Sequence, residues 1–262
     1  MYAIERKRII KEYLKEHNQV QVQELSRILN VSEVTVRRDL EFLEKEGLLT
    51  RTHGGAILNS SSEQHDLFTL FEPAEDKAYY DKIATAALKF IKDGDVIMLT
   101  NGETNAIIAS RLDERKQVKV LTNDVTIALK IALQPNNQVV LLGGDLHKTD
   151  IALYGSITLF SMERFFVHHL FVEVDGINAS LQATVNSQEK ADLILKAMQL
   201  CENVTFICPS KRFNTSAFFL LGKVSMAKRV ITDNEVSDEY KEKLFSNNIA
   251  LFTSAAPFEG TR

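Results

Sequence analysis

Two sets of side chains in this sequence have types and spacings that could do chemistry. The first is Ser32, Thr35, Arg37 and Arg38, inside the run Asn30-Val31-Ser32-Glu33-Val34-Thr35-Val36-Arg37-Arg38-Asp39-Leu40-Glu41-Phe42-Leu43, joined further on by Arg51 and His53. Guanidiniums bind phosphates and guanine edges through paired N–H donors, and threonine offers a hydroxyl and a methyl to a base. The second set is a series of short polar or glycine runs: Thr100-Asn101-Gly102-Glu103-Thr104, Thr122-Asn123, Gly143-Gly144, Asp175-Gly176 and Ser210-Lys211. Where such a run opens a helix, its free amides suit an anion. Each run taken alone is ordinary turn chemistry; together they are candidates for one converging site. His168-His169 has no acidic neighbour at metal-ligand spacing and reads as structural. Gln188-Glu189-Lys190 reads as the solvated first turn of a helix.

The elements that must hold the first set are legible. Ser32 is a good N-cap, and Val36, Leu40 and Leu43 repeat at helical spacing to form one apolar stripe. Thr35, Arg37 and Arg38 fall off that stripe, and Gly47 is expected to end the helix. Residues 4–15 read as a first helix with Ile9, Ile10, Tyr13 and Leu14 inward and Arg6, Lys7 and Arg8 on a solvated face. Residues 22–29 read as a second helix, with Asn30 making the turn. Leu48 to Ala56, with its glycine pair, reads as a small hairpin that lays Arg51 and His53 alongside the third helix. Helix, turn, helix and wing is a DNA-binding arrangement whose last helix enters the major groove.

The elements expected around the second set alternate between strand and helix. Asn59-Ser60-Ser61-Ser62 reads as a linker, followed by an apolar cluster of Leu67, Phe68, Leu70 and Phe71 expected to be buried. Helices are expected over 75–92, 104–112, 124–133 and 187–200. Strands are expected over 96–99, 118–121, 139–142, 170–174 and 204–207, with short ones near 218–221, 229–232 and 249–252. That rhythm predicts an α/β fold with a mostly parallel sheet covered on both faces, and in such sheets ligands bind outside the carboxyl ends of the strands. The expected layout is therefore a winged helix-turn-helix domain over 1–57, a linker over 58–74 and an α/β effector-sensing domain over 75–262.

The totals narrow the classes. Of 262 residues, 45% are hydrophobic and 25% charged, which fits globular domains rather than a disordered or membrane chain. The net charge of −4 looks wrong for a partner of DNA, but residues 1–57 hold 10 Lys and Arg against 9 Asp and Glu, so the acidic excess lies in the remainder. Two cysteines, Cys201 and Cys208, make neither a metal-ligand pair nor a disulfide framework, which fits a reducing cytosol. Glu5-Arg6-Lys7-Arg8 replaces any signal core, and no apolar run spans a bilayer. The expectation is a cytoplasmic protein with no cofactor, no metal, no catalytic residue and no membrane partner.

Val31-Ser32, Thr35 to Leu40, Leu43-Glu44, Gly47 and Arg51 to Ala56 resemble the N-terminal signature of the DeoR family of bacterial transcription regulators. Residues 75–255 resemble that family's sensor domain, similar in fold to ribose 5-phosphate isomerase, through Thr122-Asn123, Gly143-Gly144, Asp175-Gly176-Ile177, Ser210-Lys211-Arg212-Phe213 and Thr232-Asp233. The resemblance implies a repressor of a carbohydrate operon whose DNA binding responds to a phosphorylated sugar or related metabolite. The effector residues it points to are Thr100, Asn101, Gly102, Glu103, Thr104, Thr122, Asn123, Gly143, Gly144, Asp175 and Lys211. There are departures. The family usually carries an acidic residue where Thr100 stands, Gly-Thr-Thr where Gly102-Glu103-Thr104 stands, and Asp where Cys208 stands; a common glycine is missing from Leu181-Gln182-Ala183-Thr184. A glutamate at position 103 repels phosphate unless a cation such as Lys211 intervenes, so either Glu103 bonds sugar hydroxyls with the phosphate elsewhere, or the ligand differs from the family norm.

The function expected is thus a sequence-specific regulator bound to a double-stranded operator. A single small reading head makes few contacts, so a homodimer or homotetramer on repeated half-sites is expected. The rivals are a sugar-phosphate isomerase fused to a DNA-binding head, using Asp175 or Glu103 as base, and a scaffold whose pocket has decayed.

Overall fold

In the computed structural model, the described residues are 3–45, 48–52, 54–58 and 77–253. The expectations for Gly47, His53, the 59–62 linker and the apolar cluster at 67–71 lie outside them. The chain divides into two compact units, Met1–Glu72 and Pro73–Arg262.

The first unit runs α1 (Ala3–His17), β1 (Gln19–Gln21), α2 (Val22–Leu29), α3 (Glu33–Lys45), β2 (Leu49–Arg51) and β3 (Gly55–Leu58). Asn30, at φ 50°, takes the left-handed conformation that closes α2 and starts the turn. Ile10, Leu14, Leu25, Leu29, Val36, Leu40, Leu43 and Leu49 form the core, so the expected stripe of α3 faces α1 and α2. The strands pair antiparallel in the order β1-β3-β2. Gly55 is required where β3 pairs with β1: a Cβ there would lie 1.9 Å from the Val20 carbonyl oxygen.

The second unit continues with α4 (Lys77–Leu88), β4 (Val96–Leu99), α5 (Glu103–Ser110), β5 (Lys119–Thr122), α6 (Val125–Ala132), β6 (Gln138–Leu141), β7 (Asp145–His147), β8 (Ala152–Tyr154), α7 (Ser156–Met162) and β9 (His169–Glu173). It ends with β10 (Gly176–Ile177), β11 (Gln182–Val185), α8 (Gln188–Met198), β12 (Val204–Ile207), β13 (Phe219–Lys223), β14 (Arg229–Ile231), α9 (Asp238–Ser246) and β15 (Ala250–Phe252). Seven strands form one sheet in the order β15-β14-β12-β9-β4-β5-β6, and every pairing in it is parallel.

Neighbouring residues along the five inner strands enter different cores. Met98, Leu121, Leu170, Val172, Phe206 and Val230 belong to one cluster, and Ile97, Leu99, Val120, Phe171, Ile207 and Ile231 to the other. That alternation is the signature of a sheet buried on both faces. All seven strands correspond to expected ones, but the strand near 218–221 joins a small antiparallel sheet, β10-β11-β13, instead. The hairpin β7-β8 and the helices α7 and α9 were not expected.

Candidate functional site

The exposed surface of α3 is built from its cap outward. The Thr35 amide donates to Ser32 Oγ at 3.3 Å, and the two hydroxyls lie 2.9 Å apart, so Ser32 does cap the helix. Arg37 and Arg38 are exposed. Arg37 lies 3.5 Å from Glu33 one turn earlier, whereas Arg38 has no carboxylate partner among the described residues. Val34, not singled out by sequence, is 63% exposed beside them, an apolar side chain suited to a thymine methyl.

Asp39 turns the other way. It is buried and accepts from Arg6 Nε at 2.8 Å and Arg6 Nη2 at 3.2 Å, while Lys7 Nζ sits 3.0 Å from the centre of the Phe42 ring. The expected solvated face at Arg6 and Lys7 is therefore corrected: both cations fasten α1 to α3. Arg51 is partly committed as well, donating from Nε to Glu44 Oε2 at 2.8 Å and from its amide to Oε1 at 3.0 Å. Those bonds hold the Glu44 carboxyl below the usual range.

At the carboxyl ends of the sheet, the expected runs do lie on neighbouring strands, but most of their polar groups are spent internally. Thr100 is buried, and its hydroxyl donates to the Phe171 carbonyl at 3.3 Å. Thr122 Oγ1 donates to the Leu99 carbonyl at 2.7 Å and accepts the Asp124 amide. Asn123 Nδ2 donates to the Leu153 carbonyl at 3.2 Å. Asn101 Oδ1 accepts from Tyr154 Oη at 2.9 Å. Gly144, at φ 148°, lets the backbone pass Thr158, where a Cβ would lie 2.0 Å from Oγ1. Asp124 caps α6, accepting the amides of Thr126 and Ile127; burial pushes its carboxyl up despite those bonds.

Of the groups that carry the charge, Asp175, Lys190, Arg212 and Asp233 stand in runs the sequence marks, whereas Glu173 does not. Glu173, at the end of β9, is 2% exposed; Oε2 accepts the Thr104 amide at 2.8 Å and Oε1 accepts from Arg212 Nη1 at 3.1 Å. Asp175 accepts from Lys190 Nζ at 2.9 Å and from the Asn186 amide, and lies 3.8 Å from Arg212. Lys190 is thus buried and paired, which corrects its expected place on a solvated turn. Asp233 accepts from Tyr79 Oη at 2.5 Å and from the Ser210 amide at 2.7 Å. Burial pushes Asp233 up, but these bonds together outweigh it and hold the carboxyl low, while burial and Asp233 raise Tyr79 to about 12.

Glu103 stands on the first turn of α5, its carboxyl pushed up by partial burial and then by Glu173 and Asp124. Lys211 is exposed, 5.3 Å and 5.1 Å from the centres of the Tyr79 and Tyr80 rings. Cys208 is buried, and burial pushes its thiol well up, so it is not a nucleophile.

At the opposite end of the strands, a cavity of about 460 Å³ is lined by residues including Lys89, Lys92, Asp95, His168, His169 and Glu202. Asp95 lies 3.4 Å from His168 and 3.8 Å from His169, so the histidine pair does have an acidic partner, hidden by its distance along the chain. No group of three metal-ligand side chains occurs among the described residues, and no helix among them is long and apolar enough to cross a membrane.

Comparison with known proteins follows the same division of the chain. A model described as the DeoR-like helix-turn-helix domain matches residues 6–62, and one described as the DeoR C-terminal sensor domain matches residues 76–234. The chain is 27% identical to a putative aga operon transcriptional repressor of Escherichia coli O157:H7, over 92% of this chain and 90% of that protein. It is 29% identical to the lactose phosphotransferase system repressor of Lactococcus lactis subsp. lactis, over 89% and 92%. Among solved structures, ribose 5-phosphate isomerase A of Methanocaldococcus jannaschii aligns with a TM-score of 0.39 and 15% identity, over 53% of this chain and 55% of that one.

Proposed function

The chain belongs to the DeoR family of transcription regulators, and from that premise we propose that it represses an operon of carbohydrate metabolism under control of a sugar-related metabolite. Relatives named as repressors of the aga operon and of the lactose phosphotransferase system support the operon class. The observation that carries the DNA half is Arg38: a guanidinium left in solvent, on a helix whose opposite face is locked to α1 by the Arg6–Asp39 pair. Ser32, Thr35, Arg37, Arg38, Arg51 and His53 are the proposed operator contacts, with Val34 added. Residues 1–57 form the reading head, 58–74 the linker and 75–262 the sensor, working in the cytoplasm as a homodimer or homotetramer. The effector, a phosphorylated sugar or related metabolite, meets the strand ends at Thr100 to Thr104, Thr122, Asn123, Gly143, Gly144, Asp175 and Lys211.

The isomerase alternative needs a carboxylate free to take a proton from carbon. Of its two candidate bases, Asp175 is bound by Lys190, which weighs against it; Glu103 carries no such bond among the described residues, and against that base stand the relatives, which are named as repressors.

The test is selection of genomic fragments by the full chain, followed by gel shifts with candidate metabolites. A preferred sequence is expected, with affinity falling on the order of a thousandfold between about 50 and 200 mM salt if six or more phosphates are contacted. A chain that retains fragments without sequence preference, or with no salt dependence, overturns the proposal.

A further inference from the structure

The first turn of α5 already holds an anion. Thr104 N–H is one of the amides that a helix start leaves without an internal partner, and a helix amino terminus favours negative charge. Glu173 Oε2 takes that N–H at 2.8 Å, and its other oxygen takes Arg212 Nη1 at 3.1 Å. A backbone amide at a helix start together with a guanidinium is the donor set that receives a phosphate group. The loop is shaped around the carboxylate as well. Gly102, at φ 155°, has no room for a side chain, because a Cβ would lie 2.7 Å from Glu173 Oε2 and 2.8 Å from its Cβ.

The surrounding charges do not leave room for a second anion. Arg212 also faces Asp175 at 3.8 Å, and Lys190 is held by Asp175 at 2.9 Å. Glu103 stands over the same turn with Glu173 and Asp124 as like-charged neighbours. Among the described residues, Thr104 Oγ1 and Asn123 Oδ1 are buried here with no hydrogen-bond partner. A hydroxyl and an amide oxygen suit the hydroxyls of a polyol, not a phosphate dianion.

We propose that Glu173 sets the ligand specificity of the strand-end site: its carboxylate fills the phosphate position at α5, so this loop is closed to phosphate groups and receives the polyhydroxy part of the effector. This rests on the strand ends being the effector site.

The probe is inorganic phosphate, titrated against the full chain while the melting point is followed. A ligand that binds only the folded state raises it. The wild-type chain is expected to show no phosphate-dependent rise beyond that of chloride at equal ionic strength. Glu173→Ala leaves Thr104 N–H and Arg212 facing an empty space, so its melting point falls in chloride and recovers in phosphate, with an apparent affinity at least about tenfold above wild type. Glu173→Gln keeps the shape and is expected to stay closed. If Glu173→Ala gives no cooperative melt in chloride, recovery of one in phosphate is the same readout.

A wild-type chain that binds phosphate as well as Glu173→Ala overturns the proposal, and so does a variant that phosphate fails to rescue. These titrations read the first turn of α5 and not operator release, so a regulator that answers to no metabolite leaves them unchanged.

Discussion

On α3, Arg38 keeps its guanidinium in solvent with no carboxylate among the described residues to neutralise it, whereas in the sensor Arg212 is shared between Glu173 and Asp175 and Lys190 is buried against Asp175. The two regions use the same residue types for opposite ends. A duplex is an extended polyanion, and cations that meet it gain by releasing counterions, which requires them to be uncommitted beforehand. A sensor must hold its shape when empty, so its charges are satisfied from within and a ligand has to compete with them. Arg51, tied to Glu44 yet 41% exposed, stands between these extremes.

The sharpest way to break this contrast is at Arg38. Arg38→Ala is expected to weaken operator binding on the order of a hundredfold, within the roughly 1–3 kcal/mol of a good base or phosphate contact, and to reduce the salt slope by about one. The melting point should not change; a loss of stability without a loss of affinity would show that the side chain belongs to the fold.

Next in size is the buried pair beneath it. Asp39→Ala removes the buried carboxylate that Arg6 meets at 2.8 Å. The cost is expected to be about 2 kcal/mol, somewhat below the 3–5 kcal/mol typical of a deeply buried pair, because Arg6 lies near the rim. Proteolysis of the first unit should accelerate while that of the second stays constant, and equal rates for wild type and variant would remove the pair from the account of how α3 is held.

The smallest effect expected is at Glu103, and its sign distinguishes a sensor carboxylate from a solvated one. Its folded-state pKa is raised, so the charged form disfavours folding at neutral pH, and that penalty is relieved as pH falls through the raised value. Glu103→Gln should therefore melt slightly higher than wild type at pH 7, with the difference closing on acidification. A variant that melts lower at pH 7 would reverse the assignment.

Periodicity made the first unit and the parallel sheet readable. The α3 stripe of Val36, Leu40 and Leu43 and the strand runs are local signals, and local signals survive in one dimension. The charge network does not. Glu173 is 69 residues from Thr104 and 39 from Arg212, and Tyr79 is 154 residues from Asp233, so nothing in the sequence marks these groups as partners. For the same reason Lys190 reads as a surface residue until Asp175, 15 residues away, is seen beneath it. The missed strands are short: β7 and β8 have three residues each and β10 has two. In the seven-residue α7, Ile157 and Phe160 are 62% and 69% exposed, which blurs the amphipathic pattern.

The close pairing of β3 with β1 fixes one residue of the wing. With the Val20 carbonyl 1.9 Å from where a methyl would stand at position 55, even the most conservative replacement pushes apart two of the three strands of the wing. Position 55 therefore admits no side chain while β3 keeps its register on β1, whatever residues stand on the outward face of α3.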